Sequence, residues 1–190
     1  MDNSLSSKLD NAQSSELDCV SERLIRLLAG RSLYLAAAES CTGGLVADAI
    51  TRVPGASSCF WGSFVCYTSQ AKKLMLGVGE DTLYKYGEVS GETARLMALG
   101  ALEKSGANTS VSITGLAGPD GDGSETPVGT VWTAAALRLP RAENKNAEGE
   151  IAINIKKNNF SGSRNEIRIK AAREALVQIT ELLESRLCLM

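Results

Sequence analysis

The sequence predicts an α/β fold, a single-domain layered arrangement in which a mixed β-sheet is packed by α-helices. Short apolar segments typical of buried strands alternate with amphipathic helical segments early in the chain. Two longer strand-like segments then follow each other late in the chain, which indicates a hairpin. The length of 190 residues fits one domain, since single cores usually divide only above about 250 residues.

The elements are predicted from the spacing of apolar residues and from the caps, glycines and prolines that interrupt it. Helices are predicted at residues 17–28, 45–51, 69–76, 80–86 and 91–105, with Ser69 as a cap, and as a long last helix after a capping box of Ser163 and Glu166. Strands are predicted at residues 33–38, 59–67, 109–114, 129–139 and 151–160. The remaining predictions are a loop at 115–127, a connection at 140–150, and a disordered polar tail at 1–16 before a domain at 17–190.

Charge and composition exclude several classes of function. The 20 basic and 22 acidic side chains give a net charge of −2, so nucleic acid is not expected as a partner and the ligand should be small. No apolar run approaches the roughly 20 residues that span a bilayer, and the polar N-terminus lacks the apolar stretch of a secretory signal. The five cysteines form no C-x-x-C pair, which argues against a disulfide framework or a zinc knuckle and predicts a cytoplasmic protein.

The chain contains no histidine. A Ser-His-Asp triad, a Cys-His dyad and a histidine-ligated metal site are therefore excluded. Any hydrolytic reaction must take its base from lysine, tyrosine, aspartate or glutamate.

The segment 39–44 joins a predicted buried strand to a predicted helix. Ligands of α/β sheets gather at the carboxyl ends of strands, where helix N-termini offer free N–H groups. Ser40 and Thr42 add hydroxyls there, and Gly43 and Gly44 let the backbone approach a bound group. An ordinary capped turn explains the local sequence equally well.

Lys72 lies in the first turn of a predicted helix, shortly after Tyr67. The helix dipole disfavours a cation at this position by only about 0.3–1 kcal/mol. Burial would have to supply the rest of the free energy that keeps a lysine neutral, and so able to act as a base, near neutral pH. The alternative is a solvated surface lysine beside Lys73.

Thr114 ends a predicted strand, and the small residues of segment 115–121 can present N–H groups to an anion or an oxyanion. Asp120, Asp122 and Glu125 lack the spacing of a calcium loop, so no metal is predicted and solvated loop acids are the simpler interpretation.

Arg164 is the first predicted helical residue after the polar segment 161–163. Capping hydroxyls, free N–H groups and an arginine together suit a phosphate. An exposed arginine without a ligand is an equally good explanation of this sequence.

Taken together and in this order, these segments resemble the CinA C-terminal domain family, whose members include nicotinamide-nucleotide amidohydrolases. The resemblance covers most of the chain from about Leu35 onward. It rests on segments 38–44 (AESCTGG), 115–121 (GLAGPDG), 127–132 (PVGTVW) and 160–164 (FSGSR), and on Tyr67 with Lys72. It implies the stand-alone form, without the larger molybdopterin-binding-like domain that precedes this one in several members.

The resemblance implies hydrolysis of nicotinamide mononucleotide to nicotinic acid mononucleotide and ammonia, in pyridine nucleotide recycling, without a cofactor. By position, Ser40 would be the nucleophile, Lys72 its base, and Tyr67 a proton-relay or orienting group. Thr114 and the following loop would hold the substrate or the oxyanion, and Arg164 would bind the phosphate. The implied substrate-binding residues are Thr42, Gly43, Gly44, Thr114, Gly115, Ala117, Gly118 and Arg164.

Three alternatives stay open from the sequence. Cys41 is a rival nucleophile, although neighbours on an extended strand point to opposite sides, so only one of Ser40 and Cys41 should face the site. The domain could also be a non-catalytic nucleotide-binding module, or an adaptor in competence or DNA damage, which the near-neutral charge disfavours. We further expect a homodimer or a larger homo-oligomer.

Overall fold

The computed structural model describes residues 3–139 and 150–187, and their side chains from residue 15 to residue 186. Five strands form one mixed sheet in the order β2-β1-β3-β4-β5. Strand β1 is parallel to β2 and β3, whereas β4 is antiparallel to β3 and β5. The strands are β1 (Leu35–Glu39), β2 (Phe60–Val65), β3 (Thr109–Gly115), β4 (Thr130–Arg138) and β5 (Ile151–Asn159). The predicted fold class is therefore confirmed.

Helices cover both faces of the sheet. The helices are α1 (Asn3–Ala29), α2 (Leu45–Thr51), α3 (Ser69–Leu76), α4 (Glu80–Tyr86), α5 (Gly91–Ser105) and α6 (Arg164–Leu187). Helices α1, α2 and α6 pack on one face, and α5, with α3 and α4 beside it, packs on the other. A short 3-10 helix, Ala56–Ser58, precedes β2. Among these helices, none combines the length and the apolar character needed to cross a membrane.

Strand β1 lies at the centre of the core and is buried along its whole length. Leu35 and Ala37 face the core shared with α1, α2 and α6, whereas Ala36 and Ala38 face α3 and α5. This alternation is the two-residue period of a strand. The three consecutive alanines leave room for helices to pack closely on either side.

Two helices start differently from the prediction. Helix α1 begins at Asn3, earlier than the helix predicted at 17–28, because the apolar spacing identified only the part that packs on the core. The cap of α3 is Thr68, whose Oγ accepts a hydrogen bond from the N–H of Ala71 at 3.1 Å, so the prediction of Ser69 as the cap was wrong. The division into a tail at 1–16 and a domain at 17–190 stays a prediction, and the connection predicted at 140–150 lies, except for Glu150, outside the described residues.

The capping box predicted for the last helix is confirmed. The N–H of Ser163 donates to the Glu166 carboxylate at 2.7 Å, and the N–H of Glu166 donates to the Ser163 hydroxyl at 3.3 Å. Reciprocal bonds of this kind satisfy N–H groups that a helix start leaves free. They fix the direction in which Arg164, the first residue of α6, leaves the preceding loop.

The sheet brings the predicted site residues together. Glu39, the last residue of β1, is in register with Val65 at the end of β2 and with Ile113 near the end of β3. Because the three strands are parallel, their carboxyl ends lie at one edge of the sheet. The segments that begin with Ser40, Cys66 and Thr114 therefore meet there.

Candidate active site

A cavity of about 350 Å³ opens at this edge of the sheet. It is lined by every predicted site residue except Thr42, Gly43 and Gly44. Its lining includes Ser40, Cys41, Tyr67, Lys72, Glu88, Thr114, Gly115, Ala117, Gly118, Asp120, Asp122 and Arg164. Among the described residues, no group of three or more His, Cys, Asp or Glu side chains is placed to hold a metal ion.

Ser40 and Lys72 are in direct contact in this cavity. The Nζ of Lys72 lies 3.1 Å from the Oγ of Ser40. Lys72 is only 1% exposed and Ser40 7%. The lysine is therefore a buried partner of the serine, and the alternative of a solvated surface lysine is excluded.

The depth of Lys72 follows from the close packing of α3 on α5. A Cβ built at Gly100 of α5 would lie 2.1 Å from the carbonyl oxygen of Leu76, the last residue of α3. Any side chain at this position would push the two helices apart. Gly100 therefore sets the position of the helix that carries Lys72.

Glu88 also belongs to the site, and the sequence analysis missed it. Its Oε2 accepts a hydrogen bond from the Nζ of Lys72 at 2.8 Å. Its second carboxylate oxygen accepts one from the Ser69 hydroxyl. Its backbone carbonyl accepts one from the Thr114 hydroxyl at 2.7 Å. Glu88 lies between α4 and α5, far from Lys72 in sequence and outside any recognisable motif, so only the packing of these segments reveals it.

The Glu88 carboxyl is held in its charged form. Burial raises its pKa, but the hydrogen bonds from Lys72 and Ser69 and the positive charge of Lys72 lower it by more. The resulting pKa lies below the ordinary value of 4.5. The cavity floor therefore carries an anion directly against the buried amine of Lys72.

Glu39 shapes the turn that carries Ser40. Its fully buried carboxylate accepts hydrogen bonds from three backbone N–H groups at the start of α2, those of Gly44 (2.9 Å), Val46 (3.0 Å) and Ala47 (3.0 Å). The hydroxyl of Ser63 on β2 donates a fourth at 2.9 Å. These N–H groups, which we expected to be free for a ligand, are thus satisfied by a side chain of the protein itself.

The predicted substrate-binding roles of Thr42, Gly43 and Gly44 gain no support from their positions. The Gly44 N–H is bound to Glu39, and the carbonyl of Thr42 accepts a hydrogen bond from Arg168 at 2.7 Å. The Thr42 side chain is fully buried away from the cavity. Gly43 has a positive φ of 59° and provides the bend of the turn. The three residues build the turn rather than the cavity wall.

Cys41 lines the cavity beside Ser40. The expectation that only one of the two faces the site assumed an extended strand, but β1 ends at Glu39 and the pair lies in a turn. Burial, only partly offset by the Cys41 backbone N–H and the charges of Lys72 and Arg168, raises the pKa of the Cys41 thiol to about 11. The thiol is therefore protonated at neutral pH and is a poor nucleophile there.

Arg164 closes one side of the cavity. Its guanidinium donates to the hydroxyl of Tyr67 at 2.8 Å and to the carbonyl oxygen of Gly118. Tyr67 thus contacts Arg164 rather than the Ser40–Lys72 pair, which favours the orienting role over the proton-relay role. Arginine has five N–H donors, so the guanidinium keeps others for an anion in the cavity.

Residues 115–118, which follow Thr114, form another part of the cavity wall. Two backbone hydrogen bonds of Leu116 fix this loop in place. The Leu116 N–H donates to the carbonyl of Thr130 at 2.9 Å, and the Leu116 carbonyl accepts from the N–H of Gly129 at 2.7 Å. This fixed loop holds Gly115, Ala117 and Gly118 along the cavity. Their backbone N–H groups are candidates for stabilising a negative oxygen.

Comparison with known proteins identifies the family. The sequence profile of the CinA C-terminal domain matches residues 17–183. The nicotinamide-nucleotide amidohydrolase PncC of Escherichia coli K12 is 43% identical over 162 residues, which cover 85% of this chain and 92% of that protein. A CinA-like protein of Chlorobaculum tepidum is 42% identical over 165 residues, which cover 85% of this chain but only 37% of that protein. The chain thus spans under two fifths of the length of such longer relatives.

Solved structures agree with this assignment. The competence/damage inducible protein CihA from Agrobacterium tumefaciens superposes with a TM-score of 0.77 at 39% identity, over 88% of this chain and 95% of that one. A CinA superfamily protein from Klebsiella pneumoniae superposes with a TM-score of 0.79 at 30% identity, over 89% and 98%. The chain therefore belongs to the CinA C-terminal domain family.

Proposed function

We propose that the protein hydrolyses the carboxamide of nicotinamide mononucleotide to give nicotinic acid mononucleotide and ammonia. The observation that carries this proposal is the 3.1 Å contact between Lys72 Nζ and Ser40 Oγ at the floor of the cavity. In a chain without histidine, this pair supplies both a nucleophile and a base. The choice of substrate is supported by the Escherichia coli relative, whose name describes that activity.

The first half of the reaction forms an ester on Ser40. The neutral amine of Lys72 takes the hydroxyl proton as Ser40 Oγ attacks the carboxamide carbon. Backbone N–H groups along the wall of Ala117 and Gly118 stabilise the tetrahedral oxygen. Lys72, now an ammonium, returns the proton to the amide nitrogen, the C–N bond breaks and ammonia leaves.

The second half releases the acid. A water molecule enters the position left by ammonia, and neutral Lys72 takes one of its protons as its oxygen attacks the ester carbon. Collapse of the second tetrahedral species breaks the bond to Ser40 Oγ, which recovers a proton from Lys72. The net reaction consumes one water and yields one carboxylic acid and one ammonia.

Arg164 is the residue that we assign to the substrate phosphate. Its guanidinium lies in the cavity wall at the N-terminal end of α6, where a helix favours an anion. A single arginine and a helix start suit a single phosphate, without the basic patch that a nucleic acid requires.

The cytoplasmic location and the homodimer or larger homo-oligomer stay predictions.

Ammonia release from nicotinamide mononucleotide by the purified protein tests the proposal. We expect Ser40→Ala and Lys72→Met each to lower kcat by at least about 10³-fold, because neither half of a nucleophile–base pair works alone. Matched controls are Ser58→Ala and Lys73→Met, since Ser58 is an exposed residue of the 3-10 helix and Lys73 forms an exposed pair with Glu80. Both controls should keep wild-type turnover.

Two outcomes would contradict the proposal. One is a folded Ser40→Ala variant with wild-type turnover. The other is a wild-type protein that releases no ammonia but is stabilised by the nucleotide against thermal unfolding, which would favour the non-catalytic nucleotide-binding module.

A further inference from the structure

The buried amine of Lys72 has two described hydrogen-bond partners, and they differ in charge. Ser40 Oγ lies 3.1 Å from Nζ and is neutral, whereas Glu88 Oε2 lies 2.8 Å from Nζ and is a carboxylate. At 1% exposure the lysine has almost no surface through which bulk water could solvate an ammonium. Glu88 is therefore the group that compensates the charge of Lys72 whenever Lys72 carries a proton.

Glu88 is held in this position from both its ends. The Ser69 hydroxyl donates to the carboxylate oxygen that Lys72 does not use, and the Thr114 hydroxyl donates to the Glu88 backbone carbonyl. A neighbouring pair, Lys73 of α3 with Glu80 of α4, shows no such support among the described residues. Its side chains are 49% and 75% exposed, against 1% and 44% for Lys72 and Glu88. The Lys72–Glu88 pair is thus a built feature of the cavity, unlike an ordinary surface ion pair.

Other titratable groups nearby do not replace Glu88. The thiols of Cys41 and Cys66 are close enough to interact with Lys72, but burial raises the pKa of each to about 11, so both are neutral near pH 7. Asp122 interacts with Glu88 and is itself anionic, because hydrogen bonds from Ser124 lower its pKa. Two further charged groups, Asp120 and Arg164, also line the cavity but do not bond Lys72.

Building on the proposed function, we propose that Glu88 is a positioning residue that holds the Lys72 amine against Ser40 and compensates the positive charge that Lys72 gains when it takes the Ser40 hydroxyl proton. A carboxylate next to an amine makes the amine a stronger base but keeps it protonated to higher pH. Both effects act through Lys72, since Glu88 touches neither Ser40 Oγ nor, in the scheme above, the substrate. Removing the charge should therefore change the pH dependence and kcat but not KM.

The test is the pH dependence of ammonia release in Glu88→Gln, which keeps the shape of the side chain without its charge. We expect the acidic limb of kcat/KM to move to lower pH. On the alkaline plateau we expect kcat to fall about tenfold, because the ammonium formed when Ser40 loses its proton has no counter-ion. KM should stay within about twofold of the wild type. Glu80→Gln makes the same chemical change beside Lys73 and should leave the whole profile unchanged.

A residue with a purely structural role would lower kcat without moving the acidic limb. An unmoved limb in folded Glu88→Gln, or a KM that rises in proportion to the loss of kcat/KM, would overturn the inference. If Glu88→Gln does not fold, Glu88→Asp keeps the charge but on a shorter side chain, which draws the carboxylate away from the Lys72 amine. The acidic limb should then also move to lower pH, and an unmoved limb would overturn the inference. Failure of the proposed function is distinct, since the wild type would then release no ammonia at any pH.

Discussion

The carboxylate of Glu39 accepts a hydrogen bond from the N–H of Gly44 at 2.9 Å, across the turn that carries Ser40. The same carboxylate accepts hydrogen bonds from the N–H groups of Val46 and Ala47 in α2 and from the Ser63 hydroxyl on β2. A buried side chain thus ties the end of β1, the start of α2 and the neighbouring strand together. Ser40 takes its direction from this arrangement, because it is the first residue after Glu39.

Replacing Glu39 by Gln should both destabilise the protein and slow the reaction. The amide cannot match the carboxylate as an acceptor of four hydrogen bonds, so we expect the free energy of unfolding to fall by about 2–3 kcal/mol. Urea denaturation measures the change. Asp48→Asn, on the exposed side of α2, is the control and should cost under about 1 kcal/mol, since its pair with Arg52 is exposed. Equal costs for the two variants would show that Glu39 does not organise the turn.

Cys41→Ala should retain turnover within about threefold of the wild type, because the thiol is protonated at neutral pH and only Ser40 has a base. Since burial raises the pKa of Cys41 to about 11, its alkylation should be slow at pH 7 and accelerate steadily as the pH rises towards that value. The exposed Cys19 provides an internal comparison in the same mass-spectrometric measurement. Loss of activity as large as that of Ser40→Ala would make Cys41 the nucleophile instead.

Arg164→Lys should raise the KM for nicotinamide mononucleotide by about 10- to 100-fold, because a lysine cannot reproduce the planar donor set that binds phosphate and Tyr67 together. Steady-state kinetics at saturating substrate should show a smaller change in kcat. The phosphate-free nucleoside distinguishes the cause, since its kcat/KM should be nearly the same in both proteins. Arg186→Lys, at the exposed end of the same helix, is the control. A uniform loss for both substrates would contradict a phosphate role.

Gly100→Ala should lower the free energy of unfolding by about 2 kcal/mol or more, because overpacked helices must separate or distort. The added Cβ would meet the carbonyl of Leu76 at 2.1 Å. Thermal unfolding measures the effect, and Gly121→Ala, where a Cβ meets nothing within 4 Å, should leave the melting temperature unchanged or slightly raised. Because α3 carries Lys72, the Gly100→Ala variant should also lose turnover. A Gly100→Ala variant as stable as the wild type would show that the two helices can adapt to the added Cβ.

Much of the fold could be predicted because it depends on local patterns. Local composition and the flanking glycines and prolines placed α2, α4 and α5 at their observed bounds, and the capping box marked the start of α6. The prediction of Ser69 as a cap failed for the same reason, since two neighbouring hydroxyl residues satisfy the same local pattern and only the backbone shows that Thr68 is used.

By itself the sequence determined the chemistry that was available. The absence of histidine limited the possible bases to lysine, tyrosine, aspartate and glutamate. The resemblance to the family then implied Ser40 as the nucleophile and Lys72 as its base. The tertiary structure alone decided which groups surround that pair. Glu88 contacts Lys72, and Glu39 accepts hydrogen bonds from the N–H groups at the start of α2, only because parallel strands and packed helices bring these segments within hydrogen-bond distance. Burial and charge around a side chain depend on such long-range contacts, which no local pattern encodes.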